Sequence, residues 1–415
     1  LLILYQIGLW IYYLAAWVIS PFKPKARNWI QGRKDLSHHL SSVFPVKQRV
    51  IWFHAASLGE FEQGRPVIEA WREKHPEDFI LLSFYSPSGY ELRKNYSQAN
   101  LVCYLPFDFP GQVRRFINLV QPEILVLIKY EFWPNLIKQL SFRKIPVFLL
   151  SARFRPDQLF FKWYGKAYLN LLRKFRKILV QDIESKTLLE AHGISEVFVT
   201  GDTRIDQVFS ISQKVVEMAD IEKFTDNSFV IIGGSTWPPE EAILQKYFEE
   251  NARDTSGRKL KLIIAPHDIR EAHLKKIENR FGSVCIRYSH IGSDSKDRRV
   301  LLIDNIGILS RLYRYGDVAF VGGGFGRGLH NILEPAAHGL PIIFGPRYHK
   351  FPEAKELIQK KAAFTIKKYD EFMGVMVPFR KEKNALSFAG AASREYTKSQ
   401  LGATTLSISC LMEKL

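Results

Sequence analysis

The segment His54-Ala55-Ala56-Ser57-Leu58-Gly59-Glu60 follows directly on a β-branched run at 50–54, so it reads as a strand that turns into a helix. Small residues and Gly59 suit a tight connection, which leaves Glu60 at the mouth of a crevice. A carboxylate beside a helix N-terminus stays ionised because the dipole favours the anion. That suits a general base, provided it reaches the proton it removes. The plain alternative is that Glu60 only caps the helix. A second segment, Lys129-Tyr130-Glu131-Phe132-Trp133-Pro134-Asn135, also follows a strand. Trp133 and Pro134 are expected to pack, and Glu131 either pairs with an Arg or belongs to an acceptor site. Arg153 and Arg204 sit at further strand ends, where each is either a bidentate clamp for carboxylate or phosphate or a surface residue.

The strongest pattern runs from Gly322 to Ala337, GGGFGRGLHNILEPAA. A strand ends in glycines and Asn331 then opens an apolar helix. Free backbone N–H groups at such a start form an anion site. Glu334, in the first turn, is placed to accept hydrogen bonds from ribose hydroxyls. The spacing matches neither the P-loop nor the dinucleotide fingerprint. Gly233-Gly234-Ser235-Thr236-Trp237-Pro238-Pro239-Glu240-Glu241 reads as strand, cap and proline-started helix. Pro266-His267-Asp268 closes another strand, and His267 either faces a phosphate or is an incidental polar residue. No D-x-D occurs, so metal is not expected.

These groups need a scaffold, and the periodicity predicts one. Strands are expected at 50–54, 79–84, 124–128, 147–151 and 177–181, and again at 229–233, 261–265, 300–304, 318–322 and 341–345. Helical stretches lie between them, for example at 64–74 and 110–120. Strands spaced by helices make βαβ units and parallel sheets, here twice over. The expected fold is therefore α/β: two doubly wound Rossmann-like domains with ligands held at strand carboxyl ends, in a central cleft between them. The boundaries read as a membrane anchor at 1–22, an acceptor domain at 36–205, a linker at 206–227, a donor domain at 228–395 and a C-terminal helix at 396–415 that packs back.

The chain has 415 residues with a formal net charge of +17, a surface that draws polyanions, whether nucleic acid, anionic lipid or phosphorylated substrate. Residues 1–22 contain no charged side chain, and Lys23, Lys25, Arg27, Arg33 and Lys34 follow. About 20 apolar residues span a hydrocarbon core of ~30 Å, and the positive-inside rule then puts the remainder on the cytoplasmic side. A cleaved signal peptide or a surface-lying helix are the alternatives. Between Ser151 and Val180, eight basic residues against one acid are interleaved with aromatics, which suits an anionic membrane surface, with single-stranded nucleic acid or a solvated face as the alternatives. Three dispersed cysteines exclude a disulfide framework and a cysteine zinc site.

In order along the chain, HAASLGE, SPSGYE, EFWPN, SARF, VTGDTRID, GGSTWPPEE, APHD and GLHNILEPAAHGLPIIFGP resemble the 3-deoxy-D-manno-octulosonic acid (Kdo) transferases of lipid A assembly, inverting glycosyltransferases of the GT-B fold. The resemblance implies transfer of Kdo from CMP-Kdo, with no cofactor, to the glucosamine disaccharide of a tetraacylated lipid A precursor (lipid IVA) at the inner membrane. It implies that Glu60 is the proton acceptor, and that Arg204 stabilises the transition state, with Glu131 as the remaining acid of its motif. It assigns CMP contacts to Pro266, His267, Ile306, Gly307, Ile308, Asn331, Ile332, Leu333 and Glu334. Ser57, Gly59 and Arg153 complete the expected set as acceptor or anion contacts. Many members carry Glu where this chain has Lys129, and P-R-H becomes Pro266-His267-Asp268. The implied partners are CMP-Kdo, the lipid A precursor and an anionic membrane surface, without nucleic acid. The rival readings are another GT-B nucleotide-sugar transferase with a membrane lipid acceptor, and a non-catalytic anchored polyanion-binding protein.

Overall fold

The computed structural model describes residues 2–413 apart from 35, 37–39, 42–43, 45–47, 254–256, 293–294, 296 and 327. Arg327 of the glycine-rich motif therefore lies outside the described residues. The chain forms two compact units, Leu1–Asp206 with Gly402–Leu415, and Gln207–Leu401.

In the first unit seven parallel strands are β1 (Val50–Ala55), β2 (Phe79–Phe84), β3 (Leu101–Tyr104), β4 (Ile124–Ile128), β5 (Val147–Ala152), β6 (Lys177–Val180) and β7 (Val197–Val199). Their order is β3-β2-β1-β4-β5-β6-β7, with β1 paired in parallel to both β2 and β4. Chain order reverses between β1 and β4, so their carboxyl ends flank the crevice where doubly wound sheets hold ligands. β1, β2, β4 and β5 are buried throughout, because helices cover both faces. One face packs Trp52, Phe116, Leu127 and Leu149; the other packs Phe53, Phe61, Trp71 and Ile128.

The helix Leu2–Ile19 lies on this unit. Leu9, Tyr5 and Tyr13 pack with Trp29, Phe107 and Phe109, and Tyr5 Oη donates to Asp108 (2.8 Å). Asp108 also accepts from the amides of Asn135 and Leu136 (both 2.9 Å), which starts the helix Pro134–Phe142. Among the described residues no helix is long and apolar enough to cross a membrane. Arg33, expected as one of the basic residues beside a membrane, is instead buried. Its guanidinium donates to the carbonyls of Trp29, Tyr85 and Leu105 and stacks on Trp29, Tyr85, Tyr104 and Phe107 at 4.8–4.9 Å. Burial lowers its pKa to about 10.

The second unit also holds seven parallel strands: β8 (Ser228–Thr236), β9 (Lys259–Pro266), β10 (Cys285–Arg287), β11 (Val300–Leu302), β12 (Val318–Val321), β13 (Ile342–Phe344) and β14 (Ala363–Thr365). Their order is β10-β11-β9-β8-β12-β13-β14, with the switch between β8 and β12.

The expected linker at 206–227 is largely helical, as Thr203–Gln213 and Ala219–Thr225, with Ile221 and Phe224 buried. The expected terminal helix at 396–415 divides. Lys383–Ser399 belongs to the second unit, and Gly402 (φ 106°) breaks the chain before the helix Ala403–Met412. That helix returns to the first unit: Ile408 and Leu411 join the core around Trp71, and the Asp206 carboxylate accepts from the amides of Gly402 and Thr404. The basic-aromatic stretch contains a short 3-10 turn at Leu159–Phe161 and an α-helix at Lys166–Leu172. Phe154, Phe160, Leu171 and Phe175 point into the core, leaving Trp163 and Tyr164 exposed. The stretch therefore supplies core side chains beside exposed basic and aromatic ones, and it is not one continuous helix.

Candidate functional site

The first unit gathers its chemistry at the β1 and β4 carboxyl ends. His54, the penultimate residue of β1, has no solvent exposure. Its Nε2 lies 3.1 Å from Glu131 Oε2, and its Nδ1 lies 2.9 Å from Ser83 Oγ and 3.0 Å from the Ser83 carbonyl. Trp52 Nε1 donates to Ser83 Oγ (2.7 Å). Through its two ring nitrogens His54 joins Ser83, which accepts from Trp52, to the Glu131 carboxylate. Trp133 Nε1 donates to the same carboxylate oxygen (2.7 Å). Glu131 thus pairs with a histidine and an indole where the sequence suggested an Arg, and Trp133 both packs on Tyr85 and bonds.

Ser57 is the N-cap of the helix Leu58–Lys74, and Glu60 is its third residue. Ser57 N donates to Glu60 Oε2 (3.0 Å), as does Ser57 Oγ (3.2 Å). Glu60 therefore does cap the helix, yet its acidity is not that of a simple cap. Burial, then the negative charge of Glu131, raise its pKa above 4.5; the Ser57 amide and His54 pull the other way and lose. The helix N-terminus alone had predicted an ordinary ionised carboxylate. Gly59 is exposed and a side chain there would meet nothing, so the tight connection does not depend on it. Gly64 is the glycine that packing requires, since a Cβ there would collide with Ile128.

Beside Glu131 a cavity of about 570 Å³ is walled by Ala56, Tyr85, Tyr130, Trp133 and Phe160. Arg153 reaches Asp182 (2.8 Å), the cap of the helix Ile183–Glu190, so its guanidinium is already held by a carboxylate. Arg204 is likewise bound to Asp202 through Nε and Nη2 (2.5–3.1 Å). The neighbouring Thr203 hydroxyl donates to the Gln63 carbonyl, which ties Arg204's segment to the helix carrying Glu60. Lys129 takes a left-handed conformation (φ 70°), and its amide donates to the Leu150 carbonyl (2.8 Å). Motif reading passed over His54, Ser83 and Trp52 as site residues. Their trace in the sequence is a His and a Ser inside two otherwise apolar runs, which become partners only once β1 and β2 pair in register. Replacing His54 by Gln is expected to cost about 1–3 kcal/mol, because a buried carboxylate loses a partner. Urea denaturation of the full chain checks this; an unchanged midpoint would show the pair to be idle.

In the second unit the glycine-rich loop is not the open anion cradle its sequence suggests. Gly323 N donates to Glu240 Oε1 (2.9 Å), and Trp237 N to Glu240 Oε2 (3.1 Å). The amides of Gly322, Gly326, Gly328 and His330 donate to main-chain carbonyls. Gly322 and Gly324 leave no room for a Cβ against the backbones of Ser235 and Gly345. The anion in the nest is the protein's own Glu240, fully buried; burial raises its pKa while main-chain N–H groups oppose the rise. Glu240 was legible only as an acid in a helix's first turn.

The helix expected to start at Asn331 spans Leu333–Ala337. Asn331 Oδ1 accepts from Leu333 N (3.1 Å), and its Nδ2 donates to Glu334 Oε1 (3.0 Å). A recess of about 250 Å³ brings Gly307, Asn331 and Glu334 together with Ser235, Ser310 and His330. Ile332 and Leu333 are buried in the core, so only their main chain is available to a ligand, while Ile306 is 84% exposed. His267 stacks on both Trp237 (4.7 Å) and His330 (4.6 Å), with Pro266 ending β9 before it. Trp237 Nε1 donates to His330 Nε2 (3.1 Å), which leaves the neutral His330 its proton on Nδ1. Burial, then the charge of His267, lower its pKa to about 4. The unfolded chain protonates first as pH falls below ~6.5. His330 therefore contributes stability above that pH and loses it as pH drops toward 4. A His330→Asn variant should show a flatter dependence of melting temperature on pH across this window; an identical slope would refute the assignment. Among the described residues no three His, Cys, Asp or Glu side chains cluster to hold a metal.

Two doubly wound units of this kind define the GT-B architecture. A UDP-GlcNAc 2-epimerase from Neisseria meningitidis covers 88% of this chain and 100% of its own (TM-score 0.61, 15% identity), and a putative one from Listeria monocytogenes is similar (TM-score 0.61, 14% identity, 88% and 96% covered). At those identities the likeness is one of fold. The family model "3-Deoxy-D-manno-octulosonic-acid transferase (kdotransferase)" matches residues 31–207. The 3-deoxy-D-manno-octulosonic acid transferase of Aquifex aeolicus is 33% identical over 330 residues (78% of this chain, 84% of that one). That of Haemophilus influenzae is 29% identical over 350 residues (81% and 79%). The chain belongs to the Kdo transferase family and is a glycosyltransferase.

Proposed function

We propose that the protein transfers Kdo from CMP-Kdo to a tetraacylated lipid A precursor, with inversion at the anomeric carbon and Glu60 as general base. The observation that carries this reading is the pair of carboxylates at the β1–β4 switch. Glu131 is held by His54 and Trp133, and its charge joins burial in raising Glu60. A carboxylate with a raised pKa takes a proton from a sugar hydroxyl more readily in the transition state than an ordinary one. The adjoining cavity supplies aromatic walls for the acceptor. Arg204 serves charge developing at the reacting centre, which requires exchange of its Asp202 partner for substrate. In the second unit, Asn331 and Glu334 receive the ribose and phosphate of CMP, with main-chain groups of Gly307, Ile308 and Ile332 around them. The reading names no resident cofactor.

The helix Leu2–Ile19 attaches the enzyme to the cytoplasmic face of the inner membrane. Its outward side carries Leu4, Ile7, Ile11, Leu14, Trp17 and Val18, all exposed, with no charge to oppose burial in an interface.

Mass spectrometry of the lipid after incubation with CMP-Kdo and lipid IVA tests the reaction. A mass increase equal to one or more Kdo residues is expected. An unmodified acceptor, with an active relative as control, would reject it.

A further inference from the structure

The second unit has a larger cavity at the end of its sheet opposite the nucleotide recess. About 830 Å³ opens at the amino ends of β8, β12 and β13, beneath the helix Lys383–Ser399. Phe229 on its floor precedes Ser235, which lines the recess, by six residues of β8, about 20 Å at 3.3 Å per residue, so the two sites do not merge.

Six cationic side chains line this cavity, Arg258, Arg380, Lys381, Lys383, Arg394 and Lys398, against two carboxylates, Asp317 and Glu395. Asp317 is already committed. It accepts from Arg258 Nη1 and Nη2 (2.6 and 2.9 Å) and from Val230 N (2.8 Å). Among the described residues, Lys381, Lys383 and Lys398 have no carboxylate within ion-pairing distance, and the contact recorded for Arg394 is to the His338 carbonyl. Arg258 and Arg380 both gather over the Phe229 ring, at 5.8 and 5.5 Å. The excess of positive charge reaches neighbouring groups: after burial, the charge of Arg380 is the cause that lowers the pKa of Arg299. Cationic side chains gathered at one end of the sheet make a positive field that a bound anion would relieve.

We propose that this cavity is a second ligand site, which binds phosphoryl groups on a ligand that also offers an apolar portion. The volume is that of a small-molecule pocket and exceeds what one phosphate fills. Phe229, Pro341, Phe379 and Leu386 supply the apolar floor. Lysines supply point charges for phosphate, and Arg394 its fork. Two sources share this chemistry, a soluble polyphosphate and the phosphate headgroup of an anionic lipid.

The test uses the full chain and a triple variant, Lys381→Gln with Lys383→Gln and Lys398→Gln, none of which belongs to the transfer site. Because like charges are removed, the variant should melt no lower than the parent without ligand, and its affinity for CMP should be unchanged. Titration calorimetry with inorganic pyrophosphate, and co-sedimentation with vesicles of phosphatidylglycerol and phosphatidylcholine, are run on both proteins. A loss of at least tenfold for pyrophosphate supports a soluble ligand. The same loss for vesicles alone supports a headgroup. Equal binding of both probes by parent and variant, or no binding by either, overturns the proposal.

Discussion

A Glu60→Gln variant of the full chain is expected to retain its fold and lose transfer by about 10²–10⁴-fold, the usual contribution of a positioned acid or base. The choice of Gln follows from the dual role of the side chain. Glu60 Oε2 accepts from the Ser57 amide and hydroxyl, and a Gln carbonyl oxygen accepts equally well while being unable to take up a proton. Glu60→Ala removes the cap as well, at a cost of about 1 kcal/mol. The two variants should therefore match in activity and differ in melting temperature. The pH dependence gives an independent check. The base works only when ionised, and burial beside Glu131 raises its pKa. The acid limb of kcat/KM should thus lie above the range of an exposed carboxylate, with activity falling as pH falls through it. Wild-type turnover by Glu60→Gln would end the assignment.

The second large effect concerns stability. Glu240→Ala should destabilise the chain by about 2–6 kcal/mol, ~1–3 kcal/mol for each of the two donors left without an acceptor. The carboxylate receives the Trp237 and Gly323 amides, and its loss orphans one donor at the start of the helix Pro238–Asn251 and one in the loop that follows β12. Hydrogen exchange at the Gly323 amide localises the effect: it should accelerate in the variant, while the Val126 amide in the first unit remains protected. Equal exchange at Gly323 in both proteins would show that the clamp does not hold the loop. CMP affinity should fall with it, since Asn331 and Glu334 stand at the end of that loop.

The sequence shows the long central strands readily, because β1, β2, β4 and β5 are continuous apolar runs in a sheet covered on both faces. It hides β3, β7, β10 and β14, the edge strands of the two sheets; β7, β10 and β14 are only partly buried and lack the apolar run that marks the equally short β11 and β13. Glu60 and Glu131 are visible because they follow strands at a turn. His54 as their organiser is not, since its partners Ser83 and Trp52 become neighbours only once β1 and β2 pair in register. The glycine run was legible as a tight loop but not in its purpose. Spacing shows where amides crowd and gives no sign that a carboxylate eighty-three residues earlier fills them. Arg33 misled for a related reason: a cation after an apolar helix looks solvated until four aromatic rings close round it.

Asp108 joins two things that chemistry would otherwise leave independent. Through Tyr5 it fastens the amino-terminal helix, and through the amides of Asn135 and Leu136 it sets the start of the helix just past Glu131 and Trp133. The distance from the amino-terminal helix to the two carboxylates is consequently a property of the fold and not of a tether. On the membrane attachment proposed above, such a fixed standoff would work as a ruler: a hydroxyl would be selected by how far it rises above the bilayer plane, before any contact recognises the sugar that bears it.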